Sequence, residues 1–210
     1  MIKYISMPRL DRPHFPNQYY HVFNRGFDRK ELFKSEPDYI RFLSKLEESV
    51  NKFDWLIYSY CLLPNHFHIQ TQVKEDSLGV ILHWLQTSHS VYFNKKYKHS
   101  GAVFTNRFKS ILIQKEVYHL GLSKYIHLNP VQARLSPTPQ DYPYSSYPEI
   151  INEPKHQYKI IDKRSIESLT GQASLTQYRQ FVEESSILNY DPSVSVRGIA
   201  GSDRFRFQFE

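Results

Sequence analysis

The segment Pro64-Asn65-His66-Phe67-His68-Ile69 has the residue types and the spacing for metal chemistry. Side chains on an extended strand alternate between faces, so His66 and His68 share one face and Phe67 takes the other. Two imidazoles held in this way are a natural pair of ligands for a divalent cation. The same pair also fits a plain polar strand surface, and among ten histidines chance pairs are expected. A second group with chemical capacity lies near position 125. Tyr125 and Asn129 stand four residues apart, hence on one face of a helix. A tyrosine phenolate can attack phosphorus, and an amide oxygen is a hard ligand. Yet Tyr118, Leu122 and Tyr125 form a stripe at helical spacing that fits an ordinary core face. Asn129 before Pro130 fits an ordinary helix stop.

The elements that must position these groups can be read from periodicity. Tyr19–Asn24 is aromatic and β-branched and ends at Arg25-Gly26, which predicts a strand and a turn. Ser35-Glu36-Pro37-Asp38 is a helix start, with a capping serine, an acid three residues on and proline in the first turn. Apolar residues then recur at Tyr39, Phe42, Leu43, Leu46 and Val50, an amphipathic helix. Asp54–Leu63 and His66–Val73 are strand-like runs joined by Pro64-Asn65, an antiparallel pair. Ser77 caps a second helix with Leu78, Ile81, Leu82, Leu85 and Tyr92 on its apolar side. Phe108–Gln114 is a fourth strand, and a third helix runs from Val117 to Leu128 with Pro130 stopping it. This order predicts an α+β fold of ferredoxin-like type, with helices on one face of a mainly antiparallel sheet. After Ser136 the character changes. Pro137–Tyr147 reads as an ordered or wrapping loop, Ser174–Glu184 as a short helix, and the alternation Arg204–Phe209 as an edge strand, a nucleic-acid contact or a tail. The chain divides into residues 1–150, which hold every motif, and an extension over 151–210.

Composition narrows the partners. With 27 Lys plus Arg against 21 Asp plus Glu, the formal charge is +6, which suits a polyanion as well as it suits a mildly basic soluble protein. The single cysteine, Cys61, excludes an internal disulfide and a thiolate zinc cluster. Met1 to Phe15 lacks the apolar run of a signal peptide, and no stretch reaches the roughly 20 apolar residues of a membrane span. A cytoplasmic protein is expected. No Gly-x4-Gly-Lys-Ser/Thr loop is present, so no nucleotide cofactor is expected.

Five blocks, taken together, resemble the REP-associated tyrosine transposases, a branch of the single-tyrosine HUH transposase superfamily. They are YYHVFNRG (Tyr19–Gly26), LPNHFHIQ (Leu63–Gln70), NRFKS (Asn106–Ser110), YIHLNPVQA (Tyr125–Ala133) and DYPYSSY (Asp141–Tyr147). The chain departs from the family in Leu63, where methionine is common, and in Ile69-Gln70, which replaces a more apolar continuation. The resemblance implies a ferredoxin-like HUH domain that cleaves and rejoins single-stranded, hairpin-forming DNA without ATP. It implies Tyr125 as the nucleophile that forms a 5′-phosphotyrosine link, and His66, His68 and Asn129 as ligands of Mg²⁺ or Mn²⁺. Arg25, Arg107 and Lys109 lie in matched blocks and are candidate DNA phosphate contacts. His21 is a further candidate for the DNA-binding site or for the core beneath it. A monomer and a homodimer both occur among such enzymes. Three rival readings fit the motifs less well. A metallo-β-lactamase-like hydrolase would show HxHxDH, whereas Ile69-Gln70-Thr71 follows the pair here. A relaxase or replication nickase has another motif order. A domesticated hairpin binder has no need of an intact His66, His68 and Tyr125.

Overall fold

The aromatic and β-branched runs form strands where expected: β1 is Tyr19–Arg25, β2 Trp55–Leu63, β3 His66–Val73 and β4 Lys109–Ile113. The computed structural model describes residues 15–161, 164, 167, 174–184, 199–200 and 202. The segment before Phe15 and the alternation Arg204–Phe209 lie outside the described residues. A two-residue strand, β5 (Ile199–Ala200), completes a sheet of order β2-β3-β1-β4-β5. All neighbours are antiparallel except β4 and β5. The first four strands and the helices between them have the connectivity of the ferredoxin-like fold. Among the described residues no helix is long and apolar enough to cross a membrane.

Strand alternation sorts the sheet into two faces. Tyr20 and Val22 of β1, Phe67 and Ile69 of β3 and Leu112 of β4 share one face and are almost wholly buried. Over them lie α1 (Glu36–Lys52), through Phe42, Leu43 and Leu46, and α2 (Leu78–Tyr97), through Ile81, Leu82 and Leu85. Ser77 caps α2 by accepting a hydrogen bond from the Val80 amide at 3.3 Å. Tyr92 is only half-buried, and Phe93 takes the core position beside it. The acid expected at the start of α1 does more than cap. Asp38 accepts from the amides of Lys34 (2.8 Å) and Ser35 (3.0 Å) and also from Tyr92 Oη, Tyr97 Oη and Lys96 Nζ of α2. Burial alone would raise this carboxyl, but Lys96 and the two phenols hold it down to about 2.

The helices do not all share that face. Helix α3 (Lys115–Gln132) lies on the other one, with Leu122 and Ile126 against Cys61, Leu63, Ile111 and Ile113. The expectation of a one-faced layer fails because β2 and β4 are apolar at successive positions, so both sides of them require cover. Burial pushes the Cys61 thiol up, as expected of an inert structural cysteine. Pro130 does not stop α3 either. It lies inside the helix, where it deletes a single amide donor. The Ala133 and Leu135 amides then bond the Asn129 and Pro130 carbonyls, and Arg134 at φ +57° ends the helix.

The Pro137–Tyr147 loop wraps the outer edge of β2. The Leu62 amide bonds the Tyr144 carbonyl at 2.9 Å, and Tyr142 Oη donates to the Leu62 carbonyl at 2.7 Å. An exposed edge that would otherwise template pairing with another chain is thereby covered. Beyond a short α4 (Tyr147–Ile150), α5 (Leu175–Glu183) forms as expected, with a Ser174 capping box. Ile160, Tyr178, Val182 and Ile199 join the core shared by α1 and α2.

Candidate active site

The face beneath α3 carries the chemistry. Antiparallel pairing sets Phe23 against His68 and Arg25 against His66, so β1 and β3 present His21, Phe23, Arg25, His66 and His68 on one side. The rings of His66 and His68 lie 5.1 Å apart, centre to centre. Tyr125 reaches them from α3 within the same chain, its ring 5.6 Å from that of His68 and nearly perpendicular to it. His66, His68, Tyr125, Arg25, Arg107 and Lys109 all line one cleft of about 500 Å³.

Three other predicted or neighbouring groups stand differently. Asn129 lies one turn beyond Tyr125 and is not among the residues lining the cleft. Its side-chain amide donates to the Tyr125 carbonyl at 2.6 Å, which leaves Oδ1 as the atom able to act as a ligand. His21 has no exposed surface and sits behind His68. A direct contact with DNA is therefore ruled out for His21 by burial. His127, two residues from Tyr125, turns to the opposite side of α3, where its Nε2 meets Ser146 Oγ at 2.9 Å.

Beside its apolar contacts, helix α3 is held in place by buried polar bonds. Gln70 Nε2 donates to the His119 carbonyl at 2.9 Å, and Ser59 Oγ donates to Gln70 Oε1 at 2.8 Å. On the far side Tyr178 Oη of α5 bonds Ser123 Oγ at 3.1 Å and lies 3.2 Å from His127 Nδ1. Lys124 Nζ donates to the Glu184 carbonyl at 3.0 Å. Tyr125 thus projects from a helix fastened before it, beside it and after it.

The cleft is electropositive. Arg25, Arg29, Arg107 and Lys109 line it with no Asp or Glu among the lining residues. Among the described residues none of the four forms an ion pair. The Arg107 loop is tied to the end of β1, since Asn24 Nδ2 donates to the Asn106 carbonyl at 3.0 Å and to Gln86 Oε1 at 2.8 Å. Gly26 lets the chain after β1 fold back closely over itself. A Cβ at that position would lie 2.0 Å from the Lys30 carbonyl oxygen.

The imidazoles are neutral, with their Nδ1 atoms engaged. Burial, and after it the Arg25 guanidinium, lowers His66, while burial and the neighbouring His21 and His66 hold His68 well below its ordinary range. Burial takes His21 down to about 3. His66 Nδ1 lies 2.6 Å from Asn65 Oδ1, and His68 Nδ1 lies 2.8 Å from His21 Nε2. The Asn65 amide is oriented by its Nδ2 donating to the Arg29 carbonyl at 3.2 Å, so Oδ1 faces His66 and accepts a hydrogen bond from its Nδ1–H. The Nε2 atoms of His66 and His68 have no hydrogen-bond partner among the described residues. Two adjacent neutral imidazoles with unengaged Nε2 atoms fit a divalent cation. No cluster of three His, Cys, Asp or Glu suited to a metal occurs among the described residues, so an ion here needs oxygen from an amide, a phosphate or water as well. Asn24, Arg29 and Asn65 were missed by sequence reasoning. The signal available for Asn65 was its place inside the PNHFH block itself.

Comparison with known proteins adds three findings. Residues 14–129 match the family described as Transposase IS200 like. A Haemophilus influenzae protein named as a REP-associated tyrosine transposase is 29% identical over 123 residues, which span 52% of this chain and 69% of that one. The solved structure of a REP-associated tyrosine transposase bound to a REP hairpin superposes with a TM-score of 0.57 at 15% identity, over 76% of this chain and 96% of that one. At that identity the last likeness concerns the fold.

Proposed function

The chain belongs to the IS200-like transposase family, and from that premise we propose that it is a metal-dependent single-stranded DNA endonuclease and strand transferase working through a 5′-phosphotyrosine. The observation that carries this reading is the approach of Tyr125 to His68 within one chain, at 5.6 Å between rings, in a cleft lined by four cations. A phosphodiester is an anion, and Arg25, Arg29, Arg107 and Lys109 supply the field that draws it in. The DNA would be hairpin-forming, as for the structural relative bound to a REP hairpin.

In the first step the Tyr125 phenol loses its proton and its oxygen bonds to phosphorus. The bond to the 3′ oxygen breaks, and that oxygen takes up a proton. In the second step the 3′-OH of another strand attacks the phosphotyrosine and releases Tyr125. One phosphodiester is exchanged for another, so no nucleotide is consumed. His66 and His68, with Asn129 as the proposed third ligand, would hold Mg²⁺ or Mn²⁺, which when bound would supply charge to polarise the phosphate. Arg25, Arg107 and Lys109 would fix the strand by its phosphates, a task that carries no sequence information. The segment after residue 150 contributes by fastening α3 through Tyr178 and Glu184.

The test uses a labelled hairpin oligonucleotide with a single-stranded flank. Tyr125→Phe should bind it as the parent does and give no covalent adduct. EDTA should abolish the adduct of the parent chain and Mn²⁺ should restore it. An adduct that persists in Tyr125→Phe, or one indifferent to EDTA, would refute the reading.

A further inference from the structure

The two imidazoles of the cleft are held by different devices. For His66 the proton is accounted for, since Asn65 Oδ1 can only accept and Nδ1 must therefore carry the hydrogen. For His68 the partner is another imidazole, and the single hydrogen on the 2.8 Å line between His68 Nδ1 and His21 Nε2 belongs to one ring or the other. If His21 owned it, His68 would carry its proton on Nε2 and present an N–H to a cleft lined by four cationic side chains and no carboxylate. If His68 owns it, the bare Nε2 presents a lone pair to that field, and the dipole of the ring is favourably placed.

We infer that His21 is a positioning residue for His68: it accepts the His68 Nδ1 hydrogen at its own Nε2, keeps its own proton on Nδ1, and so fixes His68 in the tautomer whose Nε2 can bind a metal. Three features make it suited to that work. It is wholly buried on the central strand, so its ring is fixed. Its ring lies edge to edge with that of His68, centres 5.0 Å apart and planes 26° from parallel, as a hydrogen bond in the ring plane requires. Its ring also meets the Tyr125 ring edge-on at 6.0 Å, so one buried side chain touches both the metal-binding pair and the proposed nucleophile. Outer partners of this kind set ligand orientation and tautomer, and losing one typically lowers metal affinity about 10- to 100-fold.

The consequence for metal binding rests on the metal site proposed above, whereas the tautomer does not, and the experiment separates them. Long-range ¹⁵N–¹H spectra of the metal-free chain should show His68 protonated on Nδ1 and bare on Nε2. Protonation on Nε2 would overturn the inference. Calorimetric titration with Mn²⁺ should then show His21→Leu weakened about 10- to 100-fold, and His21→Gln, whose amide oxygen can accept the same hydrogen, within about threefold of the parent. Equal Mn²⁺ affinity in His21→Leu and the parent would also overturn it. If His21→Leu fails to fold, the parent spectrum and the His21→Gln titration still decide. Failure of the parent chain to bind Mn²⁺, or binding indifferent to His66→Ala, would instead refute the metal-site reading and leave the tautomer result standing.

Discussion

The two faces of the sheet are built on different principles. Under α1 and α2 the contacts are almost all apolar, among Val22, Phe42, Leu43, Leu46, Phe67, Ile69 and Ile81. Under α3 the apolar cluster is smaller, and the helix is fastened by Gln70, Ser123, His127 and Lys124 through hydrogen bonds to fixed partners. Apolar packing is non-directional and tolerates some repacking, so it supplies stability without fixing one register. A buried hydrogen bond is satisfied in one geometry and costly in any other. The face that has to place a phenol beside two imidazoles uses the directional kind of contact.

That contrast can be broken from either side. Phe42→Ala on the apolar face should cost about 3–5 kcal/mol in denaturant unfolding while leaving adduct formation per folded molecule unchanged. A proportionate loss of specific activity would mean that the two faces are not separable. Gln70→Leu on the other face should cost about 2 kcal/mol, because the partners Ser59 and the His119 carbonyl lose their bonds in a buried place. Its larger signature should be kinetic. Adduct formation should slow by at least about tenfold as Tyr125 shifts, since small misplacements of a nucleophile are expensive. A variant destabilised to that extent but fully active would remove the positioning role of the bond.

Acid offers a third probe, confined to the α1–α2 side. The folded-state carboxyl of Asp38 titrates at about 2, below its ordinary 3.8. A depressed carboxyl contributes stability that is complete above its unfolded value and lost as pH falls through its folded one. Thermal melts should therefore lose roughly 2 kcal/mol of stability between about pH 4 and pH 2. Asp38→Asn should flatten the part of the curve that belongs to this residue. The smallest effect is expected at Arg107, which lines the cleft and also a groove of about 560 Å³ between α2 and the sheet. Arg107→Ala should lower the slope of log affinity for hairpin DNA against log salt by about one, with little change in melting. An unchanged slope would remove Arg107 from the phosphate contacts.

Much of this was legible in the chain itself, and what was not has a common cause. The strand period put His66 and His68 on one face, and the apolar stripe of the third predicted helix put Tyr125 on a helix. Both are local rules, and both hold. Asp38 was readable as a cap, but its bonds to Tyr92, Lys96 and Tyr97 depend on how α1 and α2 cross, which no local pattern encodes. Gln70 read as a departure from an apolar strand, yet it is wholly buried and holds α3. Pro130 does not break α3, because near a helix end the loss of one donor is a small cost. The place of α3 on the second face depends on the sheet needing cover on both sides, a property of the assembled strands. His21 was visible as a histidine on the right face, but only the β1–β3 register shows that it backs His68 instead of reaching solvent.

The ring of Tyr125 meets His68 inside a single polypeptide, and this bears on how the proposed activity should depend on protein concentration. A site shared between two chains exists only when two chains have met, so its abundance falls with the square of a small concentration. Here His66, His68 and Tyr125 come together within one chain. On the proposed function, adduct formation per molecule is then expected to be insensitive to dilution.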